Sequence, residues 1–325
     1  MVNELLEGRA TPAQIGGLLL AWRTRGETSS ELSAVLREMR RFGVGVELGS
    51  ELAERAIDTC GTGGDRTNTV NISTMAALVA AAAGVPVCKH GNRSASSACG
   101  TADVLEALGA QIERDPLDVA SDVGELGFGF CFAPKYHPAM RHVGPTRREL
   151  GTATLFNFLG PLANPARVRR QVVGVSDPAM ADRLLDVLVD QGAKAAMVVH
   201  GADGLDELST TGLTTVSWWR DGERGVEIVD PATLGLQPAT LEQIQGGDAA
   251  RNADLLRSTL ENPTGPIADV VALNAAAALQ VGDAATGWVA ALALARQVMA
   301  DGAPARLLDA WVQAHSTGRP PSAAS

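Results

Sequence analysis

The segment AIDTCGTGGDRTNTVNISTMAALVAAAAG, residues 56–84, decides the fold. Residues 56–60 suit a short strand, and the glycines of Gly61-Thr-Gly-Gly-Asp65 end it. After a polar loop, Ser73 and Thr74 are placed to cap an alanine-rich helix that stops near Gly84. A second strand is expected at 85–88, running into Lys89-His-Gly-Asn-Arg93. Beyond it the pattern repeats, with a helix at 101–108 ended by Gly109 and strands at 129–132, 171–175 and 195–200. Strands alternating with helices define an α/β class with a mainly parallel central sheet.

Upstream of residue 50 the texture is helical. Thr11-Pro-Ala-Gln14 has the form of a capping box with Pro at the first turn, and Ile15, Leu18, Leu19 and Trp22 follow at helical spacing. Thr28-Ser-Ser-Glu31 opens a second helix carrying Leu32, Val35, Leu36 and Met39. A further polar, helical stretch is expected at 137–159. With 325 residues the chain has room for about two domains. The expected organisation is a small N-terminal helical domain, 1–50, with 137–160 packing back on it, and a larger α/β domain, 51–325.

A formal net charge of −10 argues against nucleic acid as a partner, since phosphate backbones require a basic surface. Cys60, Cys88, Cys99 and Cys131 form no CxxC pair, which speaks against structural zinc and for reduced thiols. The acidic start MVNELLEGRA is unlike a signal peptide, and no apolar stretch reaches the roughly 20 residues of a membrane span. A cytoplasmic protein with no membrane partner is expected.

The chemistry is concentrated in loops at strand ends. Gly61-Thr-Gly-Gly-Asp65 and the helix start Asn71-Ile-Ser-Thr74 offer close backbone approach and free N–H groups, the ingredients of a phosphate site. The loop lacks the Lys-Ser/Thr of a P-loop and the third glycine of a dinucleotide fingerprint, so ATPase and NAD readings are weak. Lys89-His-Gly-Asn-Arg93, followed by Ser94, Ser96, Ser97 and Thr101, places two cations and several small donors at the edge where open α/β sheets bind ligands. A single loop of this kind would be read as a solvated turn; two after neighbouring strands favour a polyphosphate. Asp206-Glu207, in a loop beyond the 195–200 strand, supplies hard oxygen ligands suited to Mg²⁺. His137, Arg141, His142, Arg147 and Arg148 crowd one polar stretch, in which Arg147 could pair bidentately with a carboxylate. The Gly/Pro-rich run from Phe156 to Pro165 could wall a small aromatic pocket.

Together DTCGTGGD (58–65), NIST (71–74), KHGNRSASS (89–97), TADVLEALG (101–109), HPAMRHVGPTRRELG (137–151), NFLGPLANP (157–165) and VVHGADGLDE (198–207) resemble the anthranilate phosphoribosyltransferases, a family of the class III phosphoribosyltransferase and nucleoside phosphorylase superfamily. The resemblance covers nearly the whole chain. It implies transfer of the phosphoribosyl group of 5-phosphoribosyl 1-pyrophosphate (PRPP) to the amine of anthranilate, giving phosphoribosylanthranilate and pyrophosphate in tryptophan biosynthesis.

Carried over by position, the resemblance assigns PRPP contacts to Gly61, Gly64, Asp65, Thr69, Asn71, Ile72, Ser73, Thr74, Lys89, His90, Gly91, Asn92, Arg93, Ser94, Ala95, Ser96, Ser97 and Thr101. It assigns anthranilate contacts to Gly61, Asn92 and Arg147, with His90, His137 and Pro161 lining the access path. Ser73, Asp206 and Glu207 are implied to hold Mg²⁺, with two ions per subunit, and the N-terminal helices to form a homodimer. No residue is assigned as nucleophile or general base, which agrees with the chemistry: an aromatic amine is neutral at pH 7 and carries its own lone pair. Cys99 departs from the family, which commonly has a small hydroxyl residue there, and is expected to pack beneath 101–108. The shortened first helix bears on the dimer rather than the site. Two rival readings are a pyrimidine nucleoside phosphorylase, which needs neither Arg147 nor the acidic pair, and a non-enzymatic nucleic-acid binder, which the acidic charge disfavours.

Overall fold

A computed structural model of the chain describes residues 1–94 and 98–316. Seven strands form one sheet: β1 Ile57–Gly61, β2 Val87–Gly91, β3 Phe128–Phe132, β4 Arg170–Gly174, β5 Ala195–Gly201, β6 Thr214–Arg220 and β7 Glu223–Val229. Their order is β3-β2-β1-β4-β5-β6-β7. The first five are parallel; β6 pairs antiparallel with β5, and β7 antiparallel with β6. The class is the expected one: a helical N-terminal part and a larger α/β part with a mostly parallel sheet.

The β6–β7 hairpin is an addition to the expected strand set. Its turn is Asp221-Gly222, with φ of 52° and 91°, the left-handed pair that a tight hairpin favours.

Before the sheet come α1 Val2–Leu6, α2 Pro12–Arg25, α3 Ser29–Arg41 and α4 Gly49–Arg55. The expected capping box of Thr11 with Gln14 forms, and the helix start at Thr28 proves to be a second one, closed by Glu31. Ile15, Leu19, Leu32 and Leu36 are buried in a cluster with Val143, Leu155, Phe156 and Phe158, and with Val173 and Leu184 of the α/β part. The 137–159 stretch is not one helix. It is broken into a 3₁₀ turn Pro138–His142 and helices Gly144–Leu150 and Leu155–Leu159, because Gly151 at φ 60° ends the middle piece.

After β1, helix α5 Ile72–Ala82 is buried along nearly its whole length. Its small alanines let the apolar helix Gly265–Val281 lie against it, and both are buried among a single large core cluster. Asn71, rather than Ser73 or Thr74, occupies the N-cap of α5, and its side chain makes no capping hydrogen bond. Ser73 and Thr74 therefore lie in the first turn, where the Thr74 N–H donates back to the Asn71 carbonyl at 3.1 Å and the Ser73 N–H turns to the Glu207 carboxylate. β2 also begins later than expected, so that Lys89, His90 and Gly91 are strand residues rather than loop residues. Among the described residues, no single helix is long and apolar enough to cross a membrane.

Candidate active site

Gly61 and Gly174 close β1 and β4 and pair in register. The loop after β5 crosses directly over them. A Cβ on Gly174 would lie 1.5 Å from the Asp206 backbone oxygen, and one on Gly61 would lie 2.2 Å from Asp206 Oδ2. Only residues without side chains permit this approach. Gly63 and Gly64, at φ 66° and 87°, then turn the β1 loop so that the Gly63 N–H donates to Asp206 Oδ2 at 2.7 Å.

Glu207 lies beside Asp206, with its carboxylate accepting from the Ser73 N–H. Both keep part of their surface open to solvent but are walled in by protein. Burial, with repulsion from Asp65, pushes Asp206 up to about 6. Burial and the neighbouring Asp206 push Glu207 well above the usual carboxylate range, although Lys89 opposes the shift. Lys89 itself is 1% exposed. Its ammonium donates to the Thr59 carbonyl and, at 3.3 Å, to Ser73 Oγ.

Carboxylates held at this cost of desolvation, with one lysine close by, are short of positive charge. Among the described residues, no three His, Cys, Asp or Glu side chains converge as a ligand set. Two carboxylates and a serine hydroxyl nevertheless fit Mg²⁺, which takes oxygen donors, retains water and shares substrate phosphate oxygens.

The phosphate loops divide. Thr74 and Thr101 hydroxyls meet at 3.3 Å, joining the starts of two helices. Thr69 bridges to Gln245, and Asp65 accepts from Thr67 Oγ1 at 2.7 Å. Asn71 is tied by its amide to Asn252 at 3.0 Å and to the Cys99 carbonyl at 3.4 Å. Ile72 is buried in the core. Asn92 is exposed and accepts from the Arg93 N–H at 2.7 Å. Arg93 pairs with Asp103 at 3.0 Å and with Glu106. The Ser94 N–H donates to Asp103 at 3.2 Å. Ala95, Ser96 and Ser97 lie outside the described residues. Cys99 is 6% exposed and belongs to the core cluster, its thiol directed at Asn71 Oδ1 and the Gly100 carbonyl.

Arg147 has the environment of a carboxylate receptor. Its Nη2 donates to Asn157 Oδ1 at 3.1 Å, and among the described residues its buried Nε has no partner and it forms no ion pair. Burial lowers its pKa, so a counter-charge is favoured. Phe156 lies below the guanidinium at 5.7 Å. Asn157 and Phe156 belong to the helix that leads into Gly160 and Pro161, the buried wall nearest His90. His90 and His137 meet edge to face at 5.0 Å. Burial drives His90 well below its ordinary value and His137 down to about 4, so both are neutral at pH 7.

One residue of this region had no role in the sequence reading. Asp58, fully buried in β1, accepts 2.7 Å from Asn164 Nδ2 and 3.3 Å from the His90 N–H, and burial raises it to about 6. A charged residue inside an apolar strand was the available signal. A separate recess of about 260 Å³ opens at the opposite edge of the sheet, where Arg170 is already paired with Asp283.

A helical bundle against a mixed sheet, with phosphate-ready loops and paired carboxylates at its carboxyl edge, defines a glycosyl-transfer protein. Residues 1–43 match the helical bundle domain, and residues 53–305 the a/b domain, of the glycosyl transferase family. An anthranilate phosphoribosyltransferase from Salinispora arenicola is 48% identical over 98% of this chain and 92% of its own. The crystal structure of the Thermus thermophilus anthranilate phosphoribosyltransferase superposes with a TM-score of 0.90 at 42% identity, covering 96% of this chain and 92% of that one. The Saccharomyces cerevisiae enzyme, solved in complex with PRPP and Mg, has a TM-score of 0.87 at 27% identity, covering 97% and 90%; it has also been solved with 4-fluoroanthranilate. The chain belongs to the anthranilate phosphoribosyltransferase family.

Proposed function

We propose that this chain transfers the phosphoribosyl group of PRPP to the amine of anthranilate, as its family membership implies, and that the residues above divide the work. The observation that carries the assignment is the closure of the Asp206 loop over Gly61 and Gly174, which sets Asp206 and Glu207 beside Ser73 and Lys89 at the carboxyl edge of the sheet.

In the reaction the ribose C1–O bond to pyrophosphate breaks, the leaving group keeps the electron pair, and the amine lone pair forms the C1–N bond. The added proton leaves to solvent. Two Mg²⁺ ions, held by Asp206, Glu207 and Ser73 with phosphate oxygens, would supply positive charge against the departing pyrophosphate. The Gly61–Asp65 loop receives phosphate oxygens, with Thr69, Asn71, Thr74 and Thr101 completing the cradle. Lys89 stabilises the same charge from below. Arg147 takes the anthranilate carboxylate, and Asn92, Gly61, Pro161 and the neutral His90 and His137 shape the aromatic path, so that the amine is aligned opposite the leaving group. No base is required.

We assign residues 1–50, with 137–160, to the helical unit and 51–325 to the α/β unit. Homodimerisation through the helices is supported by Leu20, an exposed leucine on α2. A cytoplasmic setting accords with four free cysteines. Loss of anthranilate fluorescence with PRPP and Mg²⁺ tests the reading; phosphorolysis of a pyrimidine nucleoside in its place would overturn it.

A further inference from the structure

We propose that the recess between the end of α3 and segment 163–167 binds a small inorganic anion of chloride size. Arg40, Gly43, His137, Ala163 and Arg167 line it. Its inner volume, about 10 Å³, admits one water-sized or halide-sized occupant.

The charge around the recess is one-sided. Arg40 donates to Gln191 Oε1 at 3.0 Å and to the Leu162 carbonyl at 2.8 Å, both neutral acceptors, and its buried Nε has no partner. Burial and the nearby Arg167 guanidinium lower Arg40 to about 10, an unusual position for an arginine. Arg167 is exposed, held at φ 51°, and makes no side-chain hydrogen bond or ion pair among the described residues. His137 is 8% exposed, and neither ring nitrogen meets a partner at hydrogen-bonding geometry, although the Ala163 carbonyl lies near. Among the described lining residues none is acidic; Glu47, whose carboxylate lies 3.8 Å from the Cβ position of Gly45, is exposed and pairs with neither arginine.

Two guanidinium groups, one with a buried unpartnered Nε, and a neutral buried imidazole are therefore arranged around a space that, among the described residues, holds no carboxylate. Burying an unpaired charge is unfavourable, and a bound anion removes that cost. A monatomic anion fits that inner room more nearly than phosphate does. The site joins α3 to the segment that follows Pro161, so its occupant clamps the helical part to the α/β part.

The test uses the full chain without PRPP and reads no turnover, so its failure leaves the reaction untouched. In sodium chloride, Tm should rise saturably by about 2–4 °C over sodium gluconate of equal ionic strength. Chloride-35 resonance broadening should accompany it and be displaced by bromide. Arg40→Gln should lose both effects, while Arg37→Gln, on the exposed face of α3, keeps them. If Arg40→Gln does not fold, bromide-soaked wild-type crystals decide: an anomalous peak beside Arg40 Nε supports the site, and its absence overturns it. Equal Tm in both salts without excess broadening, broadening that persists in Arg40→Gln, or displacement of chloride by anthranilate would each overturn the assignment; the last would make the recess part of the acceptor path.

Discussion

Gly174 on β4 lies so close beneath Asp206 that a single added Cβ would stand 1.5 Å from the Asp206 carbonyl oxygen and 2.4 Å from its carbon. The contact is with backbone, so no rotamer change relieves it. The position of the acidic loop is thereby built into the strand end.

Gly174→Ala should consequently displace the loop. Overpacking of this kind costs about 1–3 kcal/mol, and the Mg²⁺ concentration for half-maximal activity should rise. A urea midpoint and Mg²⁺ response equal to wild type would show that the loop has room the geometry denies.

Arg147→Ala should raise KM for anthranilate far more than KM for PRPP. A charge-assisted pair contributes about 1.5–3 kcal/mol, equivalent to roughly ten- to a hundredfold. Arg147→Lys should recover only part, since an ammonium cannot form the fork. Equal effects on both substrates would make Arg147 structural.

Asp58 governs a pH effect. Its folded pKa, about 6, lies above the ordinary 3.8, so the protonated form is favoured on folding. Its contribution to stability is full below the unfolded pKa and is lost as pH rises through about 6. Asp58→Asn should flatten that part of the urea-midpoint profile, between about pH 4 and 6, by at most about 3 kcal/mol. An unchanged slope would mean that Asp58 stays ionised against Asn164.

Much of this was legible in the sequence. The glycine cluster at 61–64 marked the β1 loop because glycines in that pattern exclude a continued strand, and the Thr11 box and the Thr28 start named their helices. β2 was misplaced since Lys89 and His90 look like loop residues. Their burial depends on the Thr59 carbonyl and the Asp58 carboxylate, partners that sequence spacing does not reveal. The same holds for Asp58 and Asn164, 106 positions apart. The β6–β7 hairpin was missed although Asp221-Gly222 is a strong turn signal. Arg93 reads from its position as a phosphate contact, and its pairing with Asp103 and Glu106, one helix later, is a relationship that sequence spacing does not reveal.

The most direct test of the central claim, that Asp206 and Glu207 form the metal-dependent heart of phosphoribosyl transfer, is the fluorescence assay on Asp206→Asn with Glu207→Gln, paired with a urea midpoint. Both carboxylates are held in the fold against desolvation and mutual repulsion, so their neutral amides should leave the midpoint at pH 7.5 unchanged or raised. Turnover of anthranilate at ordinary Mg²⁺ should vanish. Wild-type turnover in the folded double variant would contradict the account.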